Sequence, residues 1–104
     1  MNNHDPREKE FVFGSKQVLI SSDLVHQELD GEIVILNMRS GQYFGIDQVG
    51  SRIWGMLEKN VPLSDMIDRL LSEYDVEADI CRHQVAAFLD ALEENGLVSV
   101  KDAP

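Results

Sequence analysis

DGEIVILNMRSGQYFGIDQVGSRIWGMLE, residues 30–58, reads as turn, strand, turn, short strand and helix with almost no residue to spare. Asp30-Gly31 is a strong hairpin signal, because a two-residue type I′ turn needs positive φ at both positions and these residues tolerate it. In Glu32–Asn37, four apolar residues follow one another (Ile33, Val34, Ile35, Leu36). Such a run predicts a central strand, buried or paired on both faces. Arg39-Ser40-Gly41 makes the next turn. Gln42–Ile46 is then a short strand in which Gly45 either weakens the pairing or admits another backbone closely. Asp47 is a good N-cap for a helix over 48–59, whose apolar stripe is Val49, Ile53, Trp54 and Leu57.

The rest of the chain pairs with this block or covers it. Leu24–Leu29 is the strand across the Asp30-Gly31 turn. Further upstream, residues 11–13 and 18–20 are short apolar runs around Gly14-Ser15-Lys16, an extended arm or a marginal extra strand, and 1–10 are polar. Downstream, Asn60-Val61-Pro62 ends the first helix. Ser64 can cap a second helix over 65–74, with Asp65 and Asp68 near its positive end and Ile67, Leu70, Leu71 and Tyr74 inward. Asp79 can cap a third over 80–95, with Cys81, Val85, Phe88, Leu89 and Leu92 on the inner face. Gly96 stands where a left-handed residue ends a helix, and Leu97-Val98 folds back. The order β-β-β-α-α-α gives an α+β fold, a three-stranded antiparallel sheet followed by three helices, winged helix-turn-helix-like. The domain reading is an arm over 1–23, one domain over 24–98 and a tail over 99–104.

Length and composition fit that single domain: 104 residues, 43% apolar. No apolar run approaches the ~18 residues that span a bilayer, and the charged start MNNHDPREKE argues against a secretory signal and for the cytoplasm. Nineteen acidic against nine basic residues leave a net charge of −10. That balance opposes nucleic acid and anionic membranes and favours a basic partner; it also serves solubility alone.

Little here supports catalysis. His4, His26 and His83 are scattered, without a metal-ligand spacing. Cys81, the single cysteine, sits on an apolar helix face, where free Cys is most often a small core residue. No nucleophile elbow or glycine-rich phosphate loop is present. The carboxylates at 65, 68, 73, 75, 77 and 79 read as a solvated face. The expectation is a non-enzyme with no cofactor and no metal. A winged-helix DNA-binding protein is the remote alternative, and the acidic third helix opposes it. What remains is a binding module. A short edge strand beside an amphipathic helix suits β-strand addition by a peptide, with alternate side chains falling into apolar pockets. On the residues alone, the other reading stays open: Tyr43, Phe44, Val85 and Phe88 are core and no groove exists.

Four runs carry a family resemblance: GQYFGID at 41–47, GSRIW at 50–54, LLSEYDV at 70–76 and FLDALEENGL at 88–97. Together they resemble the PqqD-like family, the RiPP recognition elements, and most of all the stand-alone members of lasso-peptide biosynthesis. The resemblance implies a protein that binds the leader of a ribosomally made precursor peptide, as a strand added to Gln42–Ile46 in a cleft against the third helix. It implies Gln42, Tyr43, Phe44, Gly45 and Ile46 on the strand, and Arg82, Val85, Ala86, Phe88, Leu89 and Leu92 on the helix, as candidate peptide-binding residues. The expected partners are the leader, a cysteine-protease-like leader peptidase and an ATP-dependent cyclase, with the protein itself a monomer. A PqqD-type member presenting its precursor to a radical-SAM enzyme is the alternative. Which of Tyr43 and Phe44 faces the core is left open, because a one-residue change of register exchanges the faces.

Overall fold

The computed structural model describes residues 16–102. Its elements run β1 (Lys16–Ile20), β2 (Leu24–Leu29), β3 (Glu32–Asn37), β4 (Gln42–Ile46), α1 (Gln48–Glu58), α2 (Leu63–Glu73), α3 (Ala78–Glu94) and β5 (Val98–Asp102). The expected three-stranded sheet is present in the order β2-β3-β4, antiparallel throughout, and three helices follow it. The apolar run at 11–13 lies outside the described residues.

Local chemistry sets the joints. Asp30 and Gly31 both take positive φ, 54° and 81°, and join Leu29 to Glu32 in the tight turn these two residue types favour. Asn37, 9% exposed, ties the next turn: its side-chain oxygen accepts from the Arg39 N–H at 3.0 Å, and its carbonyl accepts from the Gly41 N–H at 2.7 Å. Asp47 caps α1, accepting from the Gly50 N–H at 2.8 Å. Asn60 (φ 58°) and Gly96 (φ 75°) end α1 and α3 in the same way. After each, the chain doubles back through paired bonds, Val61 N–H to the Met56 carbonyl (3.0 Å) and Leu97 N–H to the Leu92 carbonyl (2.9 Å).

The core lies between one face of the sheet and the helices. Ile33, Ile35 and Ile46 face Ile53, Trp54 and Leu57 of α1, Met66, Ile67 and Leu70 of α2, and Val85, Leu89 and Leu92 of α3. Ser51 is buried among them and bridges the open end of the β3–β4 ladder. Its hydroxyl accepts from the Ile33 N–H (2.9 Å) and donates to the Ile46 carbonyl (3.1 Å). Ser51→Ala leaves both backbone groups without this partner. Each orphaned buried group costs about 1–3 kcal/mol, about 2 kcal/mol or more for the two, so thermal unfolding is expected to fall by roughly 8 °C or more; a shift under 2 °C, roughly a few tenths of a kcal/mol, would refute the bridge. On the surface, Arg52 grips Glu73 with two bonds (3.0 and 2.6 Å), joining α1 to the end of α2, and this hydrogen bond holds the Glu73 carboxyl below its usual range.

Several expectations need correction. The tail over 99–104 is a strand as far as Asp102: β5 pairs antiparallel with β1, Ile20 opposite Val98 and Val18 opposite Val100. Ser21 holds the pair against the end of α3, its N–H donating to the Leu97 carbonyl and its hydroxyl to that of Gly96. Residues 16–20 are therefore a strand of this second, two-stranded sheet. Ser64 and Asp79 are not caps. The second helix starts at Leu63, which is buried, and the third at Ala78; neither start carries a side-chain cap. Asp65 and Asp79 fall inside the first turns, where the helix dipole still favours them. Tyr74 and Val49 are exposed, not inward. Finally, β3 is central but not buried on both faces: Ile33 and Ile35 are buried, whereas Val34 and Leu36 are half-exposed on the side away from the helices.

Candidate functional site

Pairing on β3 fixes which backbone groups of β4 are free. The Leu29–Glu32 turn and the bond from Met38 N–H to the Asp23 carbonyl (2.8 Å) show that even-numbered residues of β3 turn their N–H and C=O toward β2. Odd-numbered residues face β4, as the Ser51 bridge between Ile33 and Ile46 independently requires. Gln42, Phe44 and Ile46 sit opposite Asn37, Ile35 and Ile33, and so face inward to the ladder. Tyr43 and Gly45 direct their N–H and C=O groups to the outer edge, where no strand among the described residues pairs with them. Side chains alternate independently of this. Phe44 packs on the core and Ile46 belongs to it, whereas Tyr43 is 71% exposed on the opposite face. The register question thus resolves with Phe44 inward.

Beside the end of β4 lies an open pocket of about 410 Å³. Gly50, Ile53, Leu70, Cys81 and Val85 are its buried lining; Asp47, Val49, Tyr74, Val76, Gln84 and Phe88 complete it. Three elements converge at Gly50. A Cβ there would come within 2.5 Å of Ile46 Cγ2 and 3.0 Å of Phe88 Cε1, so only glycine lets the first turn of α1 reach both β4 and α3. Phe88 is half-buried, with its ring between core and pocket. Burial pushes the Cys81 thiol above its ordinary range, against the weaker pull of Arg82, so it is neutral at pH 7.

Val85 and Phe88 meet in this pocket as candidate peptide-binding residues; Leu89 and Leu92 are core. Arg82, paired with Asp79 at 3.3 Å, and Ala86, packed on the core, do not line it. They sit two positions out of step with Gln84 and Phe88, roughly 200° around the helix. Gln42 is exposed where the hairpin turn ends, and its N–H donates to the Ser40 hydroxyl at 3.3 Å. The sequence reading missed Val49, Tyr74, Val76 and Gln84. The apolar stripes put the first two inward, and nothing in the sequence marks them as a rim. Among the described residues, no three His, Cys, Asp or Glu side chains are grouped to hold a metal ion, and no helix is long and apolar enough to cross a membrane.

Comparison with known proteins adds to this geometry. No curated protein matches the chain. Two solved structures do. One, TbiB1 in complex with the TbiA(beta) leader peptide, is 36% identical with a TM-score of 0.75, over 78% of this chain and 94% of that one. The other, a lasso peptide synthetase B1 complexed with the leader peptide, is 26% identical with a TM-score of 0.70, over 80% of this chain and 98% of that one. Residues 32–98, from the start of β3 to the start of β5, match the family described as coenzyme PQQ synthesis protein D. With that match over more than half its length, the chain belongs to the PqqD family.

Proposed function

We propose that this protein binds the leader segment of a ribosomally made precursor peptide and presents it to the enzymes of a lasso-peptide pathway, a leader peptidase and then an ATP-dependent cyclase. The leader adds as a strand to the free edge of β4, using the N–H and C=O groups of Tyr43 and Gly45. Its inward side chains reach the pocket between α1 and α3. The observation that carries this reading is the β4 edge, unpaired among the described residues, lying beside an apolar pocket lined by Val85 and Phe88. Backbone bonds give affinity with little sequence demand, and the pocket supplies selection. Two relatives held with leader peptides support it. The protein itself catalyses nothing in this reading: Cys81 is a neutral, buried thiol lining the pocket.

The family description, with its reference to coenzyme PQQ synthesis, favours a second reading in which the precursor goes to a radical-SAM enzyme. One titration separates the two. Synthetic leaders from reading frames beside this gene are added to the protein and binding is followed by calorimetry. Saturable binding of a lasso-type leader, and not of a PQQ-type precursor, is the expected result. The reverse preference would move the protein to the second pathway, and binding of neither would remove the function proposed here. With a charge of −10, a Lys-rich leader should bind more weakly as salt rises.

A further inference from the structure

Turn geometry accounts for Gly31, Gly41 and Gly96, which take positive φ, and close packing accounts for Gly50. Gly45 has neither reason. Its φ is not left-handed, and a Cβ there would meet nothing within 4 Å. Glycine is a poor strand residue, with more backbone freedom to lose and no side chain to pack. Gly55, inside α1, is as open, but Gly45 stands on the free edge: with Tyr43 it carries the outward N–H and C=O groups of β4. The register shows what the missing side chain uncovers. Gly45 lies opposite Val34, on the sheet face turned away from the helices. Val34 is half-exposed, flanked by Gln27 on β2 and only by glycine on β4. Tyr43, the next residue along this face of β4, is largely exposed. A gap is left here, floored by the backbone of Gly45, bordered by Val34 and Tyr43, and open at the free edge.

We infer that this gap is a second selection point for the leader and that it takes an aromatic side chain. The inference rests on leader addition to β4 as proposed above. Whichever way the leader runs, its residue opposite Gly45 points to the same face as Gly45, away from the pocket. Neighbouring strands lie about 4.8 Å apart, so two spacings put that residue's Cα roughly 10 Å from the Cα of Val34. A short side chain stops above Gly45. A ring reaches across the glycine to the methyl groups of Val34, with Tyr43 beside it. Aromatic residues on a neighbouring strand cover edge glycines in this manner. The ring also shields from water the bonds that Gly45 makes to the leader, which strengthens them. Selection is then made on both faces of one added strand: inward side chains meet the pocket, and one outward ring meets Gly45.

The test uses the full chain and a synthetic leader encoded beside this gene, with each leader residue replaced in turn by alanine. Gly45→Val and Gly45→Ala are compared with the wild type. Both keep the N–H and C=O of residue 45, so neither removes a bond to the leader. Valine suits a strand and has space here, so the melting temperature of Gly45→Val should rise by about 2 °C or more. Its affinity for the leader should nevertheless fall about tenfold, because valine fills the gap the ring would occupy. The alanine scan should find one aromatic leader residue whose loss weakens binding to the wild type about tenfold and binding to Gly45→Val by less than about threefold, as coupled positions require. Gly45→Ala should fall between the two, and it carries the same comparison if Gly45→Val does not fold. A folded Gly45→Val protein that binds the leader like the wild type overturns the inference. So does a scan in which no aromatic residue is coupled to position 45. Failure of the wild type to bind any leader is a different result: it removes the proposed function, and this selection point with it.

Discussion

Tyr43→Pro is expected to lose leader binding in a protein that still folds, and Phe44→Pro is expected not to fold. The two positions are adjacent, yet their backbone N–H groups point in opposite directions. Tyr43 sits opposite Leu36 in a pair whose backbone groups turn away from each other, so its N–H is on the free edge. Proline there removes no bond of the β3–β4 ladder. The restriction it imposes on Gln42 is to the extended region that a strand residue already occupies. What is lost is one donor to the incoming strand, together with space for its backbone. One such bond is worth about 0.5–1.5 kcal/mol, and the ring's obstruction adds to it, so affinity should fall about tenfold or more. Phe44 sits opposite Ile35, whose side chain is fully buried, and its N–H faces the ladder. Proline at 44 orphans a buried carbonyl at about 1–3 kcal/mol and removes a ring packed on the core. The sum reaches the lower end of the about 5–15 kcal/mol that holds a small domain together. Circular dichroism and calorimetric titration of both variants check the pair. Wild-type affinity in a folded Tyr43→Pro protein would place the leader elsewhere.

That contrast could not be drawn from the sequence, and the reason is physical. Turns and caps are written locally: Asp30-Gly31, Asp47 and Gly96 each announce a backbone conformation through their own side chains or the lack of one. Strand direction follows from such joints, so the β2-β3-β4 sheet was legible. Register was not, because one residue of slip exchanges every side chain and every backbone group at once. The β1–β5 pair was hidden for a different reason. VSVKD alternates as a strand should, but its partner lies at the other end of the described chain, and no local signal joins them. In β3, the run Ile33–Leu36 shows that two faces are apolar; it does not say whether the chain covers both. Here it covers one, and Val34 and Leu36 stay half-exposed on the other. Arg82 and Ala86 illustrate the limit on a helix. The apolar stripe identifies the inner face, but which flank borders a pocket depends on where α1 and α2 approach, and they approach on the Gln84–Phe88 side.

Phe88→Asp is expected to abolish leader binding, weakening it about a hundredfold or more. The ring borders the pocket beside Gly50 and is half-buried, so a shorter, charged side chain can turn toward solvent in the free protein. The fold should therefore survive, with a loss below the about 3–5 kcal/mol of a fully buried Phe→Ala change. The bound state offers no such escape. An apolar leader side chain in the pocket would strip water from the introduced carboxylate, and the charged residue in the pocket lining is the like-signed Asp47. Desolvating an unpaired carboxylate costs several kcal/mol, and each 1.4 kcal/mol is a factor of ten in affinity. Phe88→Asn separates charge from shape: it removes the same ring without the charge and should recover part of the lost affinity. Phe88→Leu, which keeps an apolar wall, should recover more. Affinity ranked Leu, then Asn, then Asp is the signature of a leader side chain seated against α3. If all three variants fold and bind like the wild type, the leader runs along the β4 edge without entering the pocket, and selection among leaders must reside on the outer face beside Tyr43.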